Sequence, residues 1–118
     1  MTKKERLAEQ QKAYRARVKY TFDFISMDIY GAQRRNSKKR GHVMPAYTLE
    51  DLRGWMNNQP NLRSLMEEYA ASEDRNMRPS CDRENDDLPY TFDNIQLGSW
   101  KENRDKEHAK QSKAVIQL

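Results

Sequence analysis

A single cysteine, Cys81, is the chain's whole thiol inventory, so neither a disulfide framework nor a cysteine-rich zinc site is available to it. Nowhere does an apolar run approach the roughly 18 residues that a membrane span needs, which excludes a transmembrane helix. The first residues read MTKKERLAEQQ, charged where a secretion signal is apolar, and the expectation is an intracellular, cytoplasmic protein. Histidine is scarce: His42 and His108 are the only imidazoles in 118 residues. Hydrophobic residues make up 36% of the chain against 34% charged, and mean hydropathy is −1.20. Such a chain can bury one small core and no second one. It carries no internal repeat and no low-complexity segment.

What the chain does have is charge, unevenly spread. The net charge of +4 conceals a balance of +8 over residues 1–40, where twelve Lys/Arg face four Asp/Glu. Residues 41–78 and 79–118 each come to −2. A basic end on an acidic remainder is the layout of a chain that meets a polyanion at one end, although a solvated charged helix has the same look.

Residues 5–35 read as a long helix, in one piece or two, because Tyr14, Val18, Phe22, Ile25 and Ile29 recur on one helical face. Gly31 and the run Arg34-Arg35-Asn36-Ser37-Lys38-Lys39-Arg40-Gly41 then predict an exposed basic turn. Thr48 with Asp51 opens a second helix through a capping pattern ahead of Leu52, Trp55 and Met56. Pro60-Asn61 opens a third, with Leu62, Leu65, Met66 and Tyr69 on one side. Both short helices are expected to pack on the first, and Met44, Met56, Met66 and Met77 to fill gaps in or near the core.

The last third is of another kind. Met77–Arg83 reads as an extended piece, Glu84-Asn85-Asp86-Asp87 as a turn, and Tyr90–Leu97 as a strand stopped by Gly98. Ser99 and Glu102 then cap a final helix running to about Lys110. This strand, turn, strand, helix unit carries Asp82 on the first strand, Asn94 at the second, and Asn103 one turn into the helix. Aspartate and asparagine also favour turns and caps for purely local reasons.

The stretches Pro79-Ser80-Cys81-Asp82-Arg83, Tyr90-Thr91-Phe92-Asp93-Asn94-Ile95-Gln96-Leu97 and Trp100-Lys101-Glu102-Asn103 resemble the HNH endonucleases of bacteriophages, the homing type in particular. The likeness is dense from Pro79 to Lys106 and looser from Gly41 to Met56. It implies a ββα-metal module in which Asp82 and Asn103 hold one divalent cation, Mg²⁺ or Mn²⁺. Oxygen donors of this kind suit either ion. It further implies that Asn94 braces the loop and orients a general base, and that the substrate is double-stranded DNA.

One position departs from the family pattern. Arg83 stands where the family places the histidine that activates water. A guanidinium stays protonated and is a poor base, but it grips phosphate well, so Arg83 is expected to clamp the scissile phosphate or the charge developing on it. The base is then either a hydroxide on the cation or an imidazole from elsewhere, His42 or His108. Cys81 falls on the strand face opposite Asp82 and reads as a small buried residue, not a nucleophile.

The expected fold class is therefore α+β, N-terminal helices followed by a ββα-metal module. Residues 1–40 form a basic helical arm, 41–76 a packing segment and 77–111 the nuclease module. Residues 112–118 form a tail similar to the first strand of a truncated DNA-binding repeat. The arm would contact DNA phosphates through Lys12, Arg15, Arg17, Lys19, Arg34, Arg35, Lys38, Lys39 and Arg40.

Overall fold

The computed structural model describes residues 1–107, so His108 and the tail at 112–118 lie outside the described residues. Helix α1 spans Lys3–Val18 and α2 spans Phe22–Arg40. They divide at Thr21, whose hydroxyl donates to Val18 O at 2.7 Å and accepts from Phe24 N at 3.3 Å. One side chain thus ends the first helix and caps the second. Helix α1 is capped by Thr2 but buries no residue, and Tyr14 is 57% exposed. The apolar face foreseen across both helices is buried only at Ile25 and Ile29 of α2.

The basic run 34–40 is helix, not the exposed turn its charge suggested. Helix α2 passes through Gly31 and ends at Gly41, whose φ of 71° is left-handed. Gly41 N donates to Lys38 O and His42 N to Ser37 O, a Schellman closure that only an αL residue at this place allows. The glycine, not the charge, sets the boundary.

Helix α3 (Leu49–Asn57) begins with the capping box of Thr48 and Asp51, with both reciprocal bonds formed. Helix α4 (Leu62–Ser72) starts at Asn61, whose Nδ2 donates to Leu97 O at 2.8 Å and ties the helix to the sheet. A short 3-10 turn (Arg75–Met77) leads to strand β1 (Pro79–Arg83), which pairs antiparallel with β2 (Ile95–Ser99). Helix α5 follows from residue 100 through 107. Ser99 Oγ caps it by accepting from Glu102 N at 3.1 Å. The element order is α+β, and residues 79–107 run strand, loop, strand, helix.

Strand β2 is shifted from its sequence-based expectation. Tyr90–Asp93 belong to the loop, and the strand runs through Gly98 to Ser99. One hydrophobic cluster joins Ile25 and Ile29 of α2, Leu52 and Met56 of α3, Leu65 and Tyr69 of α4, and Ile95 and Leu97 of β2. Leu52 and Met56, both at 0% exposure, sit at its centre. Met66 and Met77 pack against it, but Met44 is 44% exposed and contributes nothing. Phe92 is likewise outside the core, stacked on Tyr47 with ring centroids 4.3 Å apart. Among the described residues no helix is long and apolar enough to cross a membrane.

Candidate active site

The antiparallel register sets Ser80 opposite Gly98 and Asp82 opposite Gln96, so these residues share one face of the two-stranded sheet. Pairs Cys81–Leu97 and Arg83–Ile95 fall on the other face, where Leu97 and Ile95 enter the core. Helix α5 crosses the first face. A Cβ on Gly98 would lie 3.0 Å from Asn103 Oδ1, closer than packing tolerates without movement of the amide. The glycine that sequence reasoning took for a strand stop is thus the seat on which Asn103 rests.

Asp82 and Asn103 line the same cavity, about 410 Å³ in volume, with Arg40, Arg83 and Arg104 against Asp86 and Glu107 as its other charged residues. Asn103 is only 9% exposed, yet neither its Oδ1 nor its Nδ2 has a hydrogen-bond partner. Buried amides are normally satisfied, so a pair of idle polar atoms on a residue that lines a cavity calls for an explanation, and a bound group is one. A carboxylate with an amide oxygen is a hard-oxygen donor set, the chemistry that Mg²⁺ or Mn²⁺ accepts with water completing the shell. On chemistry and on the idle amide, the residues fit such a cation.

Asn94 does something else. It is 6% exposed; its Oδ1 accepts from Asn85 N at 2.9 Å, and its Nδ2 donates to the carbonyls of Asn85 and Pro89, each at 3.0 Å. It braces the loop between the strands, and this bracing explains why Tyr90–Asp93 turn instead of extending the strand.

Arg83 is 3% exposed, and its Nη1 donates to Asp86 O at 2.8 Å and Leu88 O at 3.0 Å. Its guanidinium also lies over Tyr90, 5.2 Å from the ring centroid. It lines the cavity while one of its nitrogens holds the loop from within. Burial pushes the Cys81 thiol up to about 12, and the neighbouring Asp82 adds to the rise. It is a protonated thiol, not a nucleophile, at neutral pH.

Of the expected phosphate contacts, Arg35 and Arg40 line the cleft between α2 and the hairpin, whereas Arg34, Lys38 and Lys39 lie elsewhere on the same helix. Lys12, Arg15 and Arg17 of the first helix do not line it, whereas Lys19, at the helix junction, lines a small neighbouring pocket with Asp28, Arg78 and Pro79. Arg15 joins Leu7, Tyr14 and Phe24 around a separate apolar cavity, and Arg17 and Lys19 rest over Tyr14 and Tyr20.

Three cleft arginines escaped the sequence reading. Arg75 and Arg78 come from the 3-10 turn and the residue after it, and Arg104 from α5. Arg78 and Arg104 flank Trp100, each 4.8 Å from its ring centroid. The i, i+4 spacing of Trp100 and Arg104 was a usable signal for one. Nothing local pointed to Arg78, whose carbonyl accepts from Trp100 N only because the strands pair in this register.

Comparison of the chain with protein-family models, with curated proteins and with solved structures finds no match in any of the three.

Proposed function

We propose that the protein is a metal-dependent DNA endonuclease of the HNH type, a phage homing endonuclease in the resemblance of its sequence, acting on double-stranded DNA in the cytoplasm. The observation that carries this reading is Asn103: a buried amide with neither polar atom bonded among the described residues, lining one cavity with Asp82. Asp82 and Asn103 would hold Mg²⁺ or Mn²⁺. When bound, such a cation supplies charge to a phosphate oxygen and to the leaving 3′ oxygen. The protein's own part is positional. Gly98 lets α5 approach closely enough to seat Asn103, and Asn94 fixes the loop; Arg40 and Arg104 line the cavity together with Asp86 and Glu107.

Arg83, expected as the phosphate clamp, is buried at 3% exposure and braces the loop through Nη1, so its part here is positional. Phosphate contacts along α2 and α1 would hold register without reading sequence. The test is nicking of supercoiled plasmid with Mg²⁺ or Mn²⁺, lost in Asp82→Ala and in Asn103→Ala.

A second reading is a catalytically silent DNA-binding module on the same scaffold. It is favoured by Arg83 standing in the place of the general base, and by no histidine lining the cavity among the described residues. Duplex binding without nicking, under either metal ion, would select it.

A further inference from the structure

The cleft does not end at Asp82 and Asn103. Asn36, Tyr90 and Trp100 line both that cavity and a second chamber of about 230 Å³, which continues between α2 and β1. At its wall is Gln33, 2% exposed. Gln33 Oε1 accepts from Tyr47 Oη at 2.7 Å, but its Nε2, a buried N–H donor, has no partner among the described residues. The same chamber is lined by three arginines, Arg35, Arg75 and Arg78, against one carboxylate residue, Asp28. An unbonded donor under an excess of positive charge is a site for an oxyanion. The carboxylate lies near Arg78 and offsets part of that charge, without balancing all three arginines.

We propose that this second chamber is a phosphate subsite, in which Gln33 Nε2, Arg35 and Arg78 hold the backbone phosphate adjacent to the one at Asp82 and Asn103 on the same DNA strand. The inference rests on the nuclease reading for the identity of the neighbouring site, but its contacts are its own. Of the phosphate contacts expected along α2, two are thereby divided between neighbouring sites, Arg40 in one cavity and Arg35 in the other.

The experiment measures affinity of the full chain, in EDTA, for a set of duplexes in which single phosphates are replaced by uncharged methylphosphonate. The cleaved position is mapped separately with Mg²⁺. For the wild-type protein, one replacement next to the cleaved phosphate is expected to weaken binding about tenfold. Gln33→Glu keeps the acceptor for Tyr47 but exchanges the amide donor for a carboxylate. Arg35→Gln changes an exposed residue, so its folding is not at stake. Both variants should bind the unmodified duplex about tenfold more weakly and be indifferent to that same replacement.

Wild-type affinity in both variants, or full sensitivity retained in both, overturns the subsite even if DNA is cut. A protein sensitive to no methylphosphonate, yet retaining inorganic phosphate through Gln33 and Arg35, takes a free ion and overturns the strand contact. Asp82→Asn should bind like wild type and cut nothing. A wild-type protein that shows the Gln33 and Arg35 dependence but never cuts supports the anion contact while removing the nuclease reading.

Discussion

Two buried asparagines, on either side of strand β2, have opposite circumstances. Asn94 is 6% exposed and spends its amide on the loop, with Oδ1 and Nδ2 bonded to Asn85 and Nδ2 also to Pro89 O. Asn103 is 9% exposed and spends its amide on nothing among the described residues. An amide buried and bonded contributes to the fold, whereas an amide buried and unbonded detracts from it by about 1–3 kcal/mol. The loop around Asn94 is therefore architecture, and Asn103 sits where stability is given up with no return within the described residues. Residue type and burial are the same; the bonding separates them.

That contrast can be broken in graded ways. The largest effect is expected on chemistry: Asp82→Ala or Asn103→Ala should lower metal-dependent nicking about a thousandfold, read as plasmid conversion on a gel. Nicking that survives both substitutions would detach the cavity from the activity.

Next come opposite effects on stability, measured by urea unfolding. Asn94→Leu removes the loop's bonds and strands several buried backbone groups, with an expected loss of about 3 kcal/mol. Asn103→Leu replaces idle polar atoms by apolar ones of similar size and should leave stability unchanged or raise it by about 1 kcal/mol. Equal losses at the two positions would erase the distinction.

A subtler change leaves both amides in place. Gly98→Ala adds a methyl group 3.0 Å from Asn103 Oδ1, on a glycine whose φ is not positive. It should weaken Mn²⁺ binding several-fold, by roughly 1 kcal/mol, by displacing the amide, while Asn94 and the loop stay as they are.

The smallest expected effect concerns Cys81, beside Asp82. With its thiol raised to about 12, the thiolate fraction at pH 8 is roughly one part in ten thousand, so modification by a thiol reagent should be very slow and still accelerating above pH 9. A rate that levels off near pH 9 would show an ordinary exposed thiol.

Much of the fold was legible because its signals are local. The Thr48–Asp51 capping box and the Ser99 cap on Glu102 formed where their spacing placed them, and Leu52, Met56, Leu65 and Tyr69 are buried as their helical periodicity required. The resemblance singled out Asp82, Asn94 and Asn103, and the first and last of them line one cavity.

What was not legible depends on partners distant in sequence. Five positive charges in seven residues look like a turn, and only the left-handed Gly41 with its two backbone bonds shows the helix to continue through them. Gly98 ends many strands, but here it stays within one because α5 comes down on it. Charge counting pointed to the arm as a whole. Yet α1 buries nothing and sends no side chain to the cleft, whereas Arg75, Arg78 and Arg104, from segments without net positive charge, line it. Total charge in a segment does not say which side of a helix faces the site.

The most direct test of Asn103 as a ligand held ready for a cation is thermal unfolding with and without Mn²⁺, comparing the wild-type protein with Asn103→Leu. Mn²⁺ should raise the wild-type melting temperature in proportion to the logarithm of its concentration, and the variant, as stable as wild type or more so without metal, should gain nothing. The same Mn²⁺-dependent rise in both proteins would contradict the assignment of Asn103 to the metal.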